Sequence, residues 1–256
     1  MKTFRPFVFI TGLIVIVGLA CGLGAPTQEP AAPIQPPIEP APTLAQQEPP
    51  PPPAPIEQPT ESAPPPVAGG FFTEEFNSDP GWYYEVIKGR DSSDDRKAKY
   101  TFDAGRMIFD IEDPALFAYY MFRGDTYEDV RLDIKVENRG VNSQQVSLIC
   151  RESDDGWYEL AIQSDGTWVL YAVENGFNVV TNGGSNHIKQ GKDVNEYTMI
   201  CSGNEISFFF NGVEHRSSPF AERKYAFRRG NVGFSVSSLR ATPVKIEVDW
   251  FKVSQP

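Results

Sequence analysis

Val130-Arg131-Leu132-Asp133-Ile134-Lys135-Val136-Glu137 sets an apolar side chain at every even position and a charged one at every odd position. Side chains of an extended chain point alternately to opposite faces, so this octet buries one face and wets the other. The same period of two runs through Arg106–Ile111, Leu116–Phe122, Val146–Arg151, Trp157–Ile162, Thr167–Val173, Tyr197–Cys201, Ile206–Phe210, Val232–Val236 and Val244–Val253. Turn formers separate the runs: Asp154-Asp155-Gly156, Ser164-Asp165-Gly166, Glu174-Asn175-Gly176 and Asn211-Gly212. The last is the strongest, because a type I′ hairpin needs positive φ at both central residues. No window of a dozen residues keeps a helical period. Short strands joined by tight turns pack as two antiparallel sheets, so the expected fold is an all-β jelly-roll sandwich.

Upstream the chemistry is different. Lys2 and Arg5 precede an apolar run from Phe7 to Ala20. That run is too short to cross a bilayer as a helix and reads as a signal peptide over 1–20. Gly18-Leu19-Ala20-Cys21 resembles the lipobox of bacterial lipoproteins, with the usual leucine displaced by one position. The resemblance implies diacylglyceryl modification of Cys21, hence an extracytoplasmic protein held to the membrane by lipid. Cleavage of the same bond by the general signal peptidase is the alternative, since Gly18 and Ala20 are small. From Cys21 to residue 70 follows a linker that carries 17 of the 23 prolines, five glutamates and no lysine or arginine. With almost nothing large and apolar to bury, it reads as a disordered spacer, locally polyproline II at Pro49–Pro53.

Residues 71–256 carry a net charge of −8, which disfavours nucleic acid as a partner. Once Cys21 is set aside, Cys150 and Cys201 are an even pair in an oxidising compartment. Strand parity aligns Cys150 with Val146 and Leu148, and Cys201 with Tyr197 and Met199, so a disulfide inside the core is expected.

The turns and core positions together resemble the concanavalin A-like lectin/glucanase superfamily, laminin-G-like and 3-keto-disaccharide hydrolase-related modules in particular. The segments that carry the resemblance are Phe71–Phe76, Gly81-Trp82, Leu148–Arg151, Gly156–Tyr158, Asp165-Gly166, Asn211-Gly212 and Val248–Val253. The resemblance implies ligands on a concave sheet or its rim. By parity Tyr158, Leu160 and Ile162 face the core, which turns Trp157 and Glu159 outward, with Arg151 expected beside them. A tryptophan face beside hydrogen-bonding charges suits a pyranose ring, so Arg151, Trp157 and Glu159 are the candidate ligand-binding residues. The alternative is a tryptophan packed at a sheet edge beside an Arg151–Glu159 surface ion pair. Trp168 and Tyr171 have opposite parity, so one of them at most joins that face.

Catalysis has a weaker basis. Laminarinase-type relatives carry two glutamates flanking an aspartate on one strand, whereas Glu247-Val248-Asp249-Trp250-Phe251-Lys252 places lysine at the second glutamate. A retaining glycosidase needs two carboxyls about 5 Å apart. No catalytic residue is therefore assigned, and Val244, Ile246, Val248 and Trp250 are expected to face inward from a last strand. His187 and His215 lack zinc spacing, and no metal site is assigned; the acidic turns Asp91–Asp95 and Glu152–Asp155 leave a structural calcium open. A non-catalytic glycan-binding or adhesive module leads; a glycoside hydrolase-like enzyme and a structural or protein-binding domain are the alternatives.

Overall fold

A computed structural model describes residues 70–256. The signal sequence, Cys21 and the linker as far as residue 69 lie outside the described residues. The first strands are β1 (Phe72–Glu74), β2 (Tyr83–Lys88), β3 (Ala98–Asp103), β4 (Arg106–Ile111), β5 (Leu116–Tyr127) and β6 (Val130–Asn138). A ladder of hairpins follows: β7 (Gln144–Ser153), β8 (Gly156–Gln163), β9 (Thr167–Val173) and β10 (Phe177–Gly184). Then come β11 (Val194–Ser202), β12 (Glu205–Phe210), β13 (Val213–Glu214), β14 (Phe220–Ala221), β15 (Gly230–Ser238) and β16 (Val244–Ser254).

These strands build two antiparallel sheets. The nine-stranded sheet has the order β13-β12-β11-β6-β16-β4-β3, with β1 on β16 and β14 on β12; the seven-stranded sheet has the order β10-β9-β8-β7-β15-β5-β2. Period-two patterning decides which side of each strand lies between them. Val130, Leu132, Ile134 and Val136 of the opening octet all enter the core, opposite Leu148, Leu160, Leu170 and Phe234 from the other sheet. Each such side chain contributes about 1.5–3 kcal/mol by leaving water. Asp133 is also buried, yet Arg131 and Thr198 satisfy its carboxylate by hydrogen bonds. Cys150 on β7 and Cys201 on β11 form the expected disulfide, which ties one sheet to the other.

Parity breaks where a strand bulges. Between Val248 and Trp250 the pairing of β16 with β6 slips by one residue, and a bulge exchanges the two faces beyond it. Val244, Ile246 and Val248 face inward as expected, but beyond the slip Phe251 and Val253 take the core positions. Trp250 is only half-buried, which corrects its expected inward placement.

Candidate functional site

The same slip relocates Arg151. On β7 the register shifts after Cys150 against β8, and against β15 it shifts between the partners of Glu152 and Ile149. Arg151 sits at the bulge with φ 59° and is 2% exposed. Its guanidinium donates to the carbonyls of Glu128, Gly203 and Phe227 at 2.9 Å each. Gly230 of β15 lies against this kink so closely that a Cβ there would meet Glu152 O at 2.3 Å. Arg151 is thus a buried clasp on three loops; it neither joins the outer face nor pairs with Glu159. Burial pushes its pKa down, partly offset by Tyr158 and Asp129.

Trp157 and Glu159 do point to the outer face of the seven-stranded sheet, as parity expects, and Tyr171 joins them while Trp168 enters the core. That face carries its own apolar cluster of Tyr119, Met121 and Ile149, flanked by Phe117 and Trp157 and separate from the sandwich core. Phe117 on β5 and Phe177 on β10 have four strands between them in the sheet order, yet their rings are 6.0 Å apart. On a flat sheet five strand spacings would separate them by roughly 24 Å. The face is therefore a trough, closed over where Phe117 and Phe177 meet.

One end of the trough is open. There a groove of about 80 Å³ runs between Tyr83, Tyr119, Met121, Ile149 and Trp157. Arg123 closes it, stacked 3.6 Å above the Tyr83 ring and bonded to Glu152 at 2.7 Å. Glu152, one residue past the bulge, also accepts from Asn231 at 2.7 Å. So Arg123 and Glu152 supply the charged pair that was expected from Arg151 and Glu159. Tyr83 is 41% exposed and Trp157 is half-buried, which leaves ring surface available to a ligand.

Glu159 lies deeper and is 0% exposed. Its Oε2 accepts from the Tyr119 hydroxyl and from Trp157 Nε1, both at 3.1 Å. Burial raises its pKa; the hydrogen bonds, with the nearby Ser147 and Ser235 hydroxyls at poorer geometry, offset this in part. Among the described residues, Glu159 Oε1, Ser235 Oγ and Ser237 Oγ find no hydrogen-bond partner. Each buried orphan of this kind costs about 1–3 kcal/mol.

The glucanase-like string lies on the opposite side of the molecule. Glu247 pairs with Arg106 and Arg139, and Asp249 with Lys135 at 2.6 Å, all on the outer face of the nine-stranded sheet. Both carboxylates are committed to cations, so the string is an ion-pair ladder. Of the acidic turns, Asp94 is held by Arg96 and Glu152 by Arg123. Among the described residues no group of three or more His, Cys, Asp or Glu is placed to hold a metal ion.

No family model and no curated protein sequence matches this chain. Solved structures do. A Bacillus subtilis protein of unknown function with a galectin-like fold is 12% identical, with TM-score 0.54 over 74% of this chain and 97% of that one. The Bacillus licheniformis β-glucanase is 12% identical, with TM-score 0.52 over 74% and 100%. A Bacteroides ovatus mixed linkage glucan GH16 protein in complex with its product is 9% identical, with TM-score 0.53 over 72% and 99%. At these identities the likeness is one of fold alone. The described domain is an all-β jelly-roll sandwich of two antiparallel sheets.

Proposed function

We propose that this protein is a lipid-anchored surface lipoprotein whose sandwich binds carbohydrate, without catalysis, in the open groove of the seven-stranded sheet. The observation that carries this reading is the groove itself: two partly exposed aromatic rings, Tyr83 and Trp157, line it, and the Arg123–Glu152 pair closes it. Aromatic faces suit the apolar side of a pyranose, and the charged pair suits its hydroxyls. That related folds include a β-glucanase and a glucan-product complex is consistent with such a ligand. The hydrolase alternative draws on Glu159, whose pKa burial raises.

A glycan array with the mature protein tests the reading. Trp157→Ala and Tyr83→Ala should each weaken binding to any hit by about 1–3 kcal/mol, a loss of roughly five- to 150-fold. An array without hits, or hits that both variants retain in full, would overturn it. Release of new reducing ends from a bound polymer would favour the hydrolase reading. Metabolic labelling with palmitate, lost in Cys21→Ala, tests the anchor.

A further inference from the structure

The middle of the trough has an unusual floor. β15 turns Gly233, Ser235 and Ser237 outward, and β7 turns Gln145 and Ser147 the same way. An outer sheet face of this composition is ordinarily wet, yet all three serines are 0% exposed. Tyr119 covers Ser235, its cross-strand partner, while Ser237 lies beside Phe117, where Phe117 and Phe177 meet. The Tyr119 phenol extends from β5 across β15 and β7 to reach Glu159 on β8, and the Trp157 ring meets it edge-on at 6.2 Å. Gly233 has no room for a side chain, since a Cβ would meet Met121 Sδ at 2.6 Å, and so the floor stays low. Beneath this roof the Ser237 hydroxyl and one oxygen of Glu159 are without partners, and the Ser235 hydroxyl reaches Glu159 only at poor geometry, although each is a group that binds hydroxyls well.

We propose that the floor is a second sugar subsite, continuous with the open groove, and that Tyr119 is its built-in competitor. The inference rests on the carbohydrate reading above. In the closed state the phenolic hydroxyl donates to Glu159 in the place that a pyranose hydroxyl takes in the bound state. A sugar that displaces the phenol meets Glu159 as acceptor and the serine hydroxyls as donors and acceptors, which are groups the phenol alone does not satisfy. Because only the open fraction of molecules takes ligand, the apparent dissociation constant of the resting protein is raised by the inverse of that fraction.

The test uses the full mature chain, titrated calorimetrically with soluble mixed-linkage β-glucan and with the strongest array hit. Tyr119→Ser removes the competitor and should bind roughly tenfold or more tightly than wild type. Tyr119→Phe keeps the packing and frees only Glu159, and should fall between the two. This second variant keeps the proposal open to refutation if the serine variant folds poorly. Binding kept in Tyr119→Phe and weakened in Tyr119→Ser would make Tyr119 a ligand-stacking residue, and binding weakened in both would make its hydroxyl a ligand contact; in either case the carbohydrate reading would stand and the occlusion would fall. No binding by wild type or by either variant would remove both.

Discussion

The two outer faces of this sandwich share one core and differ in almost everything else. On the nine-stranded sheet Arg106, Glu137, Arg139 and Glu247 pair across neighbouring strands, and Lys135 meets Asp249. Each of these six charges has a partner and remains partly wet. On the seven-stranded sheet aromatic rings roof a floor of serines, and a carboxyl is sealed among them with one oxygen unpaired. The first face is satisfied without a ligand; the second bears the cost of buried polar groups that its own side chains do not meet. The second face is therefore the one where a ligand would add hydrogen bonds that the protein itself lacks, which is why the proposed site is placed there.

The largest stability effect should come from the bond that both sheets share. Replacing Cys150 and Cys201 with serine should cost about 2–5 kcal/mol, read as a lowered midpoint in urea with a steeper slope, because the unfolded chain without the cross-link exposes more surface. A loss well below that range would mean that the faces are held in place by packing alone.

The next test separates the faces by pH. Glu159 has a folded pKa above its ordinary value near 4.5, because burial disfavours its charge. The unfolded chain therefore loses that proton first, and this group's contribution to stability falls as pH rises above about 4.5 towards the folded value. The slope from a single group is at most about 1.4 kcal/mol per pH unit. Glu159→Gln should flatten the fall when melts are compared between pH 4.5 and pH 8. A wild type and variant with parallel profiles would show that Glu159 titrates normally and that the trough is wet.

The smallest effect belongs to the other face. Arg106→Ala opens several ion pairs at once, yet these side chains are substantially solvated, so the cost should be about 1 kcal/mol or less and should shrink in high salt. A loss of several kcal/mol that persists in salt would erase the distinction between the faces.

How legible this was in sequence depends on where each residue lies. Alternation identified the central strands, the core side of β6, β8 and β11, and the disulfide, because period two is dictated by burial on one face only. β2 and β10, at the two edges of the seven-stranded sheet, were not assigned: Tyr83–Lys88 and Phe177–Gly184 are half-exposed and carry no clean alternation. Trp157 and Glu159 were placed on the correct face, but Arg151 and Trp250 were not. Counting by twos has no way to register a bulge, and each lies at or just past one. The trough itself was beyond reach from sequence. Tyr119 reaches Glu159 across two intervening strands, and such a meeting depends on strand order and sheet curvature. The signal available was Tyr119-Tyr120-Met121 within β5, where opposite-facing large side chains imply a strand buried on both sides.

The Cys150–Cys201 bridge also governs how the domain yields to tension. The 51 residues of separation it spans would reach roughly 170 Å if drawn straight. Pulled from its ends, the domain cannot release that length while the bridge is intact. Only the segments outside it lengthen, so the covalent link acts as a stop on extension, and a reductant lifts that stop.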